Sequence, residues 1–376
     1  MYFRLNPECY LIRGKKNGAI FDLIDEETYA LNQNETEIVA YCEDNNSINR
    51  NKDFLRELKR LCLGNFYSRK VYISRLRVGS PDIEQGTGEP PEFNRAFLEI
   101  NNLCNRDCWF CGYYGIKRTL GCLGCNKWNE SGDPVTIERW MNITDELQNL
   151  GCKDIYIKGG DLTLARDKTL DILDYASKKF NNIYVTIHEQ GLTDSITDDL
   201  ANNAKLIVQT ENPVDISSPN IIMLLTLDWE RYVDMSEIQS KNTLVDFIIK
   251  DKTSLMDGIS LKGRIAPNMY RFLNNIRYHP CLGHTIAISN TGNVLPCPMM
   301  RNHAYGNIKN RELYSIFREK WDDIDNVWQL NLDKIDKCTS CEFRYVCNDC
   351  RALEEGLTGR LSGKITCGYD PEGSPG

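Results

Sequence analysis

The 376-residue chain is short of several things, and each shortage excludes something. Its longest aliphatic run, Ile221-Ile-Met-Leu-Leu, is far below the roughly 20 residues of a bilayer-spanning helix. Met1-Tyr-Phe-Arg-Leu-Asn-Pro-Glu has no basic stretch followed by an apolar one, so no secretory signal is read there. A cytoplasmic protein without a membrane partner is expected. Positive charge is also short: 45 Lys and Arg stand against 53 Asp and Glu, a net charge of −8. No basic stripe is visible, which argues against a nucleic-acid partner. A peptide or a small molecule fits better. Histidine is scarce, at four residues. Cysteine is abundant, at sixteen, and in a reducing compartment many cysteines read as metal ligands rather than disulfides.

Three of them, Cys104, Cys108 and Cys111, follow the strand-like run AFLEIN with the spacing Cys-x3-Cys-x2-Cys. Three thiolates on one short loop can wrap one corner of a 4Fe–4S cubane. They leave the fourth iron without a protein ligand, free to bind a substrate or cofactor, whereas four-cysteine clusters are closed and move electrons. A zinc site, the simpler alternative, normally pairs Cys-x2-Cys knuckles, and no His lies near this loop.

This loop resembles the signature of the radical S-adenosylmethionine (radical SAM) enzymes, with Phe110 in the aromatic place before the last cysteine. The resemblance implies a cluster whose open iron chelates SAM and cleaves it to a 5′-deoxyadenosyl radical. It also gives a meaning to Gly159-Gly160-Asp161 after the second strand, where the family has Gly-Gly-Glu contacting the SAM amino group; here the carboxylate is one methylene shorter. Taken alone, these three residues read as a turn. His188 and Gln209, at strand ends, are further candidates for the cofactor pocket, with Glu189 and Glu211 beside them, and a structural role is open for each.

Seven cysteines crowd the C-terminal region: Cys281, Cys297, Cys338, Cys341, Cys347, Cys350 and Cys367. The pattern resembles the SPASM domain, which carries two auxiliary clusters. The resemblance assigns Cys338, Cys341, Cys347 and Cys367 to a distal cluster and Cys281, Cys297 and Cys350 to one nearer the barrel. Two residues, not the usual three, separate Cys347 from Cys350. A zinc ribbon on Cys338/Cys341 and Cys347/Cys350 is the alternative, but it leaves the other three unexplained. Two closed cubanes need eight thiolates, so one iron is expected to be open or to take a ligand from elsewhere. Cys122 and Cys125, in Leu120-Gly-Cys-Leu-Gly-Cys, are candidate catalytic thiols, a redox pair or a source of that ligand. Cys9, Cys42, Cys62 and Cys152 sit in or beside regular elements and read as buried free thiols.

The pattern along the chain predicts an α/β protein of three parts. Residues 1–78 carry short alternating strand signals and then two helices, over Glu35–Cys42 and Asp53–Leu63, and resemble a small winged-helix-like α+β leader-recognition domain. Residues 79–95 are a Gly/Pro/acidic linker. Residues 96–270 alternate strands (96–101, 154–158, 183–188, 205–210, 221–227, 244–250) with helices (136–150, 168–180, 194–204, 229–240). Repeated βα units imply a parallel sheet, and six are too few for a closed eight-strand barrel, so a partial (β/α)6 barrel is expected with its site at the strand C-termini. Residues 271–376 form the Cys-rich domain, with a hairpin at 285–296 and a helix at 311–321.

Together the resemblances imply a peptide maturase with SAM and three 4Fe–4S clusters, one of them SAM-binding and two auxiliary. It would take a precursor peptide as an added β-strand and an electron from a donor such as flavodoxin or ferredoxin. The expected product is a thioether made with a substrate cysteine on the open auxiliary iron. Alternatives are a carbon–carbon or carbon–oxygen crosslink, epimerisation, oxidation of a sulfatase-type residue or, in another class, a non-catalytic iron–sulfur or zinc protein.

Overall fold

The computed structural model describes residues 1–49, 51–76, 93–212, 218–228, 242–249 and 267–373. Most of the predicted linker and the predicted helix 229–240 lie outside them. Of the linker, residues 93–95 are described; Phe93 is buried in the barrel core and Arg95 already begins a strand.

The N-terminal part opens with β1 (Tyr2–Leu5), β2 (Cys9–Arg13), β3 (Gly18–Asp22) and β4 (Glu27–Leu31). Helices α1 (Gln33–Glu43) and α2 (Lys52–Arg60) and strand β5 (Gly64–Tyr67) follow. The chain enters α1 through a reciprocal capping box: Asn32 accepts from the Glu35 N–H, and Glu35 accepts from the Asn32 N–H. β2, β3 and β4 make an antiparallel sheet with β4 at one edge, and β1 pairs with β5, a strand the sequence pattern did not reveal. Cys9 and Cys42 are buried as expected, and so is Cys152; Cys62 instead is exposed, just beyond α2.

The central sheet has ten strands. In chain order they are β6 (Arg95–Asn101), β7 (Lys117–Arg118), β8 (Asp154–Gly159), β9 (Asn182–His188), β10 (Lys205–Thr210), β11 (Ile221–Asp228), β12 (Thr243–Ile249), β13 (Thr285–Ile288), β14 (Asn293–Leu295) and β15 (Gly306–Asn307). Their spatial order is β15-β14-β13-β6-β8-β9-β10-β11-β12-β7. The six predicted barrel strands run parallel in sequence order. Two additions were not foreseen. β13 of the C-terminal hairpin joins β6 in parallel, and β7 closes the other edge antiparallel to β12. The C-terminal domain thus continues the barrel's own sheet.

The period-2 alternation of strands explains what lies on each face. Leu98, Ile100, Ile155, Ile157, Val185, Ile187, Leu206 and Val208 belong to the core shared with α3 (Ile137–Asn149) and α4 (Arg166–Ser177), while α5 (Asp194–Ala201) contributes Leu200. The intervening residues Glu99, Lys158, Thr186, His188 and Gln209 occupy the opposite, inner face, and all are buried. A polar lumen under an apolar shell is the consequence.

α6 (Met269–Asn275) spans the boundary expected at 270/271. Its Phe272 packs with Ile12, Phe21 and Leu23 of the N-terminal sheet and with Tyr345 and Val346, so the helix fastens the N-terminal domain to the C-terminal one. α7 (Leu313–Trp328) and α8 (Arg351–Thr358) complete the described helices.

Candidate active site and metal centres

The Cys104–Cys111 loop leaves β6 at the C-terminal end of the barrel. Asn102 pins it to the following segment, donating to Trp128 O and accepting from Trp128 N–H, both at 2.7 Å. The Cys111 N–H closes a turn on Cys108 O at 3.0 Å, and Cys111 Sγ accepts from Lys127 N–H at 3.3 Å. The loop is pressed against the end of β8. Asp161 N–H donates to Leu103 O at 2.6 Å, and a Cβ built on Gly160 would stand 2.2 Å from that same carbonyl. Glycine at 160 is therefore required by space.

Cys104, Cys108 and Cys111 line one cleft together with Arg106, Phe110, Cys125, Gly160 and His188. Phe110 is fully buried and its ring stacks with His188 at 6.3 Å and 6°, while the Arg118 guanidinium lies 5.4 Å from its centroid. His188 Nδ1 accepts from Gln190 N–H, but Nε2 is buried without a protein partner. Burial, and then the charge of Arg106, hold His188 below its ordinary pKa, so the neutral ring is favoured.

Three sequence candidates stand elsewhere than expected. Asp161 does not line the cleft: Arg106 ion-pairs with it, and Thr163 donates to it through N–H and Oγ1 at 3.0 and 2.7 Å. Gly159 ends β8 against the Asn101 carbonyl, where a Cβ would come within 2.3 Å, and packs rather than binds. Gln209 is fully buried, with its carbonyl accepting from Cys125 N–H at 2.7 Å and its amide donating to Thr226. Both of its ends are used inside the protein. Glu211 accepts from Trp109 Nε1 and Glu189 from Thr210 Oγ1.

The segment from Leu120 to Asn126 runs into the polar lumen, held by hydrogen bonds from barrel strands. Asp246 accepts from Leu120 N–H at 2.7 Å, Lys158 Nζ donates to Cys122 O at 2.6 Å and Thr186 donates to Leu123 O at 2.7 Å. Gln209 holds Cys125, and Gly159 O accepts from Asn126 N–H at 2.9 Å. Asp246 also ion-pairs with Arg118, both side chains fully buried. Arg118, Lys158 and Asp246 escaped the sequence reading. For Lys158 and Asp246 the one signal was a charge within an apolar strand run, as in Leu244-Val-Asp-Phe-Ile-Ile; Arg118, between Lys117 and Thr119, had none.

This threading brings Cys122 into a second cavity, with Cys281, Cys297 and Cys350. The four thiols are electrostatic neighbours: Cys281, Cys122 and Cys297 all push Cys350 upward, and Cys281 and Cys122 push Cys297. In each case burial is the larger cause. A third set is separate. Burial, with the neighbouring thiols, raises Cys338 to about 12, Cys341 to about 12 and Cys347 to about 11, and Cys367 is a neighbour of the latter two. Cys350 faces the second cavity, so a four-cysteine ribbon with Cys338, Cys341 and Cys347 is not assembled. Cys125 stands apart from both four-thiol sets, in the first cleft; burial raises it to about 12.

The described cysteines outside the N-terminal part thus include one set of three and two of four, all-thiol donor sets of the kind that hold iron–sulfur clusters. Beside the seven C-terminal thiols, Cys122 lines the cavity of Cys281, Cys297 and Cys350 as a fourth thiol.

Fold and thiol sets define an iron–sulfur protein built on a partial parallel barrel. The chain is a radical SAM protein with a C-terminal SPASM domain: residues 98–241 match the Radical SAM superfamily and residues 281–342 match SPASM, an iron-sulfur cluster-binding domain. SAM and iron–sulfur clusters are the cofactors such domains carry. None of the curated proteins matches the chain. Among solved structures it is similar to Streptococcus suis SuiB bound to precursor peptide SuiA, at 14% identity and a TM-score of 0.49 over 98% of this chain and 100% of that one. SuiB bound to S-adenosylmethionine gives 12% and 0.48 over 98% and 100%. BtrN in an open conformation gives 15% and 0.36 over 66% and 92%. Among the described residues no helix is long and apolar enough to cross a membrane.

Proposed function

We propose that this protein is a maturase that modifies a ribosomally made precursor peptide by radical chemistry. The observation that carries the reading is the three-thiol cleft lying beside a four-thiol cavity, with one lumen-threading segment, Leu120 to Asn126, lining both. Cys104, Cys108 and Cys111 would hold a cluster, at which bound SAM would supply a 5′-deoxyadenosyl radical for hydrogen-atom removal from the substrate. Gly160 keeps the cluster loop close to β8, while Phe110 and the free Nε2 of His188 contact the cofactor. Cys122, Cys281, Cys297 and Cys350 would hold a proximal auxiliary cluster, and Cys338, Cys341, Cys347 and Cys367 a distal one, three in all.

With Cys122 as a fourth thiol beside Cys281, Cys297 and Cys350, this reading has no open auxiliary iron on which a thioether would form. The modification is then one in which no auxiliary iron binds the substrate: a direct side-chain crosslink or an inversion of configuration. The peptide reading is supported by the N-terminal domain, where β4 lies at the edge of a three-stranded sheet, the geometry for adding an extended peptide. The acidic net charge suits a basic or neutral partner. Electrons for SAM cleavage come from a flavodoxin- or ferredoxin-type donor.

The test is anaerobic incubation of reconstituted, reduced protein with SAM and the precursor peptide. 5′-Deoxyadenosine and a modified peptide are expected, and neither from the Cys104/Cys108/Cys111→Ala variant. 5′-Deoxyadenosine from that variant, or an unmodified peptide with the wild type, refutes the reading.

A further inference from the structure

Two cations border the cavity of Cys122, Cys281, Cys297 and Cys350, and among the described residues neither has an ion pair. Arg95, at the start of β6, is one. Its Nη2 donates to Cys281 O at 3.1 Å and to Thr285 Oγ1 at 3.3 Å, and its guanidinium lies 5.8 Å from the centroid of the buried Phe97 ring. Cys281, Thr285 and Phe97 all line the cavity. Lys158, fully buried on β8, is the other: its Nζ donates to Cys122 O at 2.6 Å and to Gly121 O at 3.3 Å. The hydrogen bonds of both side chains thus end on carbonyls and a hydroxyl. Arg118 and Arg351 also line the cavity, but each is paired with a carboxylate, Asp246 and Asp349 respectively.

The thiols register the two free charges. Burial, and then Cys281, push the Cys122 thiol up to about 11, and burial also raises Cys281. Against this, Arg95 is the largest opposing influence on Cys281, and Lys158 followed by Arg95 on Cys122. The other four-thiol set is surrounded differently. Lys364 acts on Cys338 and Cys347, but it is ion-paired with Asp349 at 2.9 Å and with Glu354 at 2.7 Å. Its positive charge is matched where it stands.

We infer that Arg95, with Lys158 behind Cys122, raises the reduction potential of the proximal auxiliary cluster and makes it the first of the two auxiliary clusters to accept an electron. This rests on the ligand sets proposed above and puts them in an order. A cubane held by four thiolates is an anion, and reduction adds one electron and one further negative charge. A cation in surroundings of low dielectric favours the more negative state. The Arg95 guanidinium does so at every accessible pH, because it does not deprotonate. A cation already paired with a carboxylate has most of its field cancelled by its partner.

The experiment is a redox titration of the anaerobically reconstituted full chain with dithionite, followed by EPR. The proximal signal is identified by its absence from Cys122→Ala. In the wild type it should develop at a higher potential than the distal one. Arg95→Gln keeps a hydrogen-bond donor and removes the charge. At a fixed potential its ratio of reduced to oxidised proximal cluster should fall roughly tenfold, about 59 mV for a one-electron couple. Arg95→Lys should restore most of that loss. Neither variant should change the distal potential or the iron content. A distal cluster that reduces first in the wild type overturns the inference. So does a proximal potential in Arg95→Gln equal to the wild type, an equal shift of both auxiliary potentials, or a value in Arg95→Lys as low as in Arg95→Gln. The maturase reading survives each of these results, because 5′-deoxyadenosine formation and peptide modification test it separately. Signals unchanged by Cys122→Ala overturn the ligand assignment and the inference with it.

Discussion

Replacing Gly160 by Ala tests whether the cluster loop is positioned by close contact with β8. The new Cβ would lie 2.2 Å from Leu103 O, 2.9 Å from Leu103 C and 3.2 Å from Asn102 C. All three are backbone atoms of the segment leading into Cys104, so no flexible side chain can yield. Restoring ordinary van der Waals distance, about 3.3 Å or more, moves that backbone by roughly 1 Å. The overpacking itself costs about 1–3 kcal/mol. Displacement of a reacting group by 1 Å costs on the order of 100-fold in rate, about 2.7 kcal/mol. The expected result is a roughly 100-fold fall in 5′-deoxyadenosine formation. The auxiliary iron should be unchanged, because Cys122, Cys281, Cys297 and Cys350 face another cavity. Gly306→Ala is the control: its nearest neighbours are Ile316 side-chain atoms at 3.3–3.5 Å. SAM cleavage by Gly160→Ala at the wild-type rate, measured by chromatography under reducing conditions, would show that the contact does not position the loop.

Cys122→Ala should lose about four of roughly twelve irons and the matching auxiliary EPR signal, while Cys125→Ala keeps its full iron complement; equal iron in both would remove Cys122 from the ligand set. Asp349 is buried against His279, Arg351 and Lys364. Burial pushes its carboxyl up, but hydrogen bonds from His279 and Arg351 and the charge of Lys364 outweigh it and hold the pKa well below the carboxylate range. A depressed folded pKa contributes stability above the unfolded value, near 4, that is lost as pH falls further. Asp349→Asn should therefore cost about 3–5 kcal/mol at neutral pH, read by denaturant unfolding of the metal-free chain, and should flatten the acid limb of its pH–stability profile. Ala30→Pro, on the β4 edge, should weaken binding of a fluorescent precursor peptide and spare peptide-independent SAM cleavage; unchanged anisotropy would remove strand addition at that edge.

Local signals identified most of the elements, because strand alternation and helical periodicity are written over a few residues each. The six parallel strands were found to within a residue or two at their ends. β5 and β7 were missed because Gly64–Tyr67 and Lys117–Arg118 are too short to show a period and exist only through their partners. The Gly-Gly-Asp motif shows the limit for site residues. Its place after the second strand was legible, yet Asp161 is taken by Arg106, a residue 55 positions earlier whose approach no local pattern records.

By itself the sequence determined the donor set available: a loop with three cysteines offers three thiolates to a cluster and no fourth, since ligand number follows from residue identity and spacing. It also determined the barrel, since hydrophobic period and strand count are local properties. Only the tertiary structure decided how the remaining thiols divide. Cys122 and Cys125 are three residues apart and equivalent on paper, but Lys158, Thr186, Gln209 and Asp246 draw their segment into the polar lumen and turn one toward each cavity. Those four residues come from four strands spread over 89 positions. They meet because a parallel sheet curls around its inner face, and that closure is a property of the whole barrel.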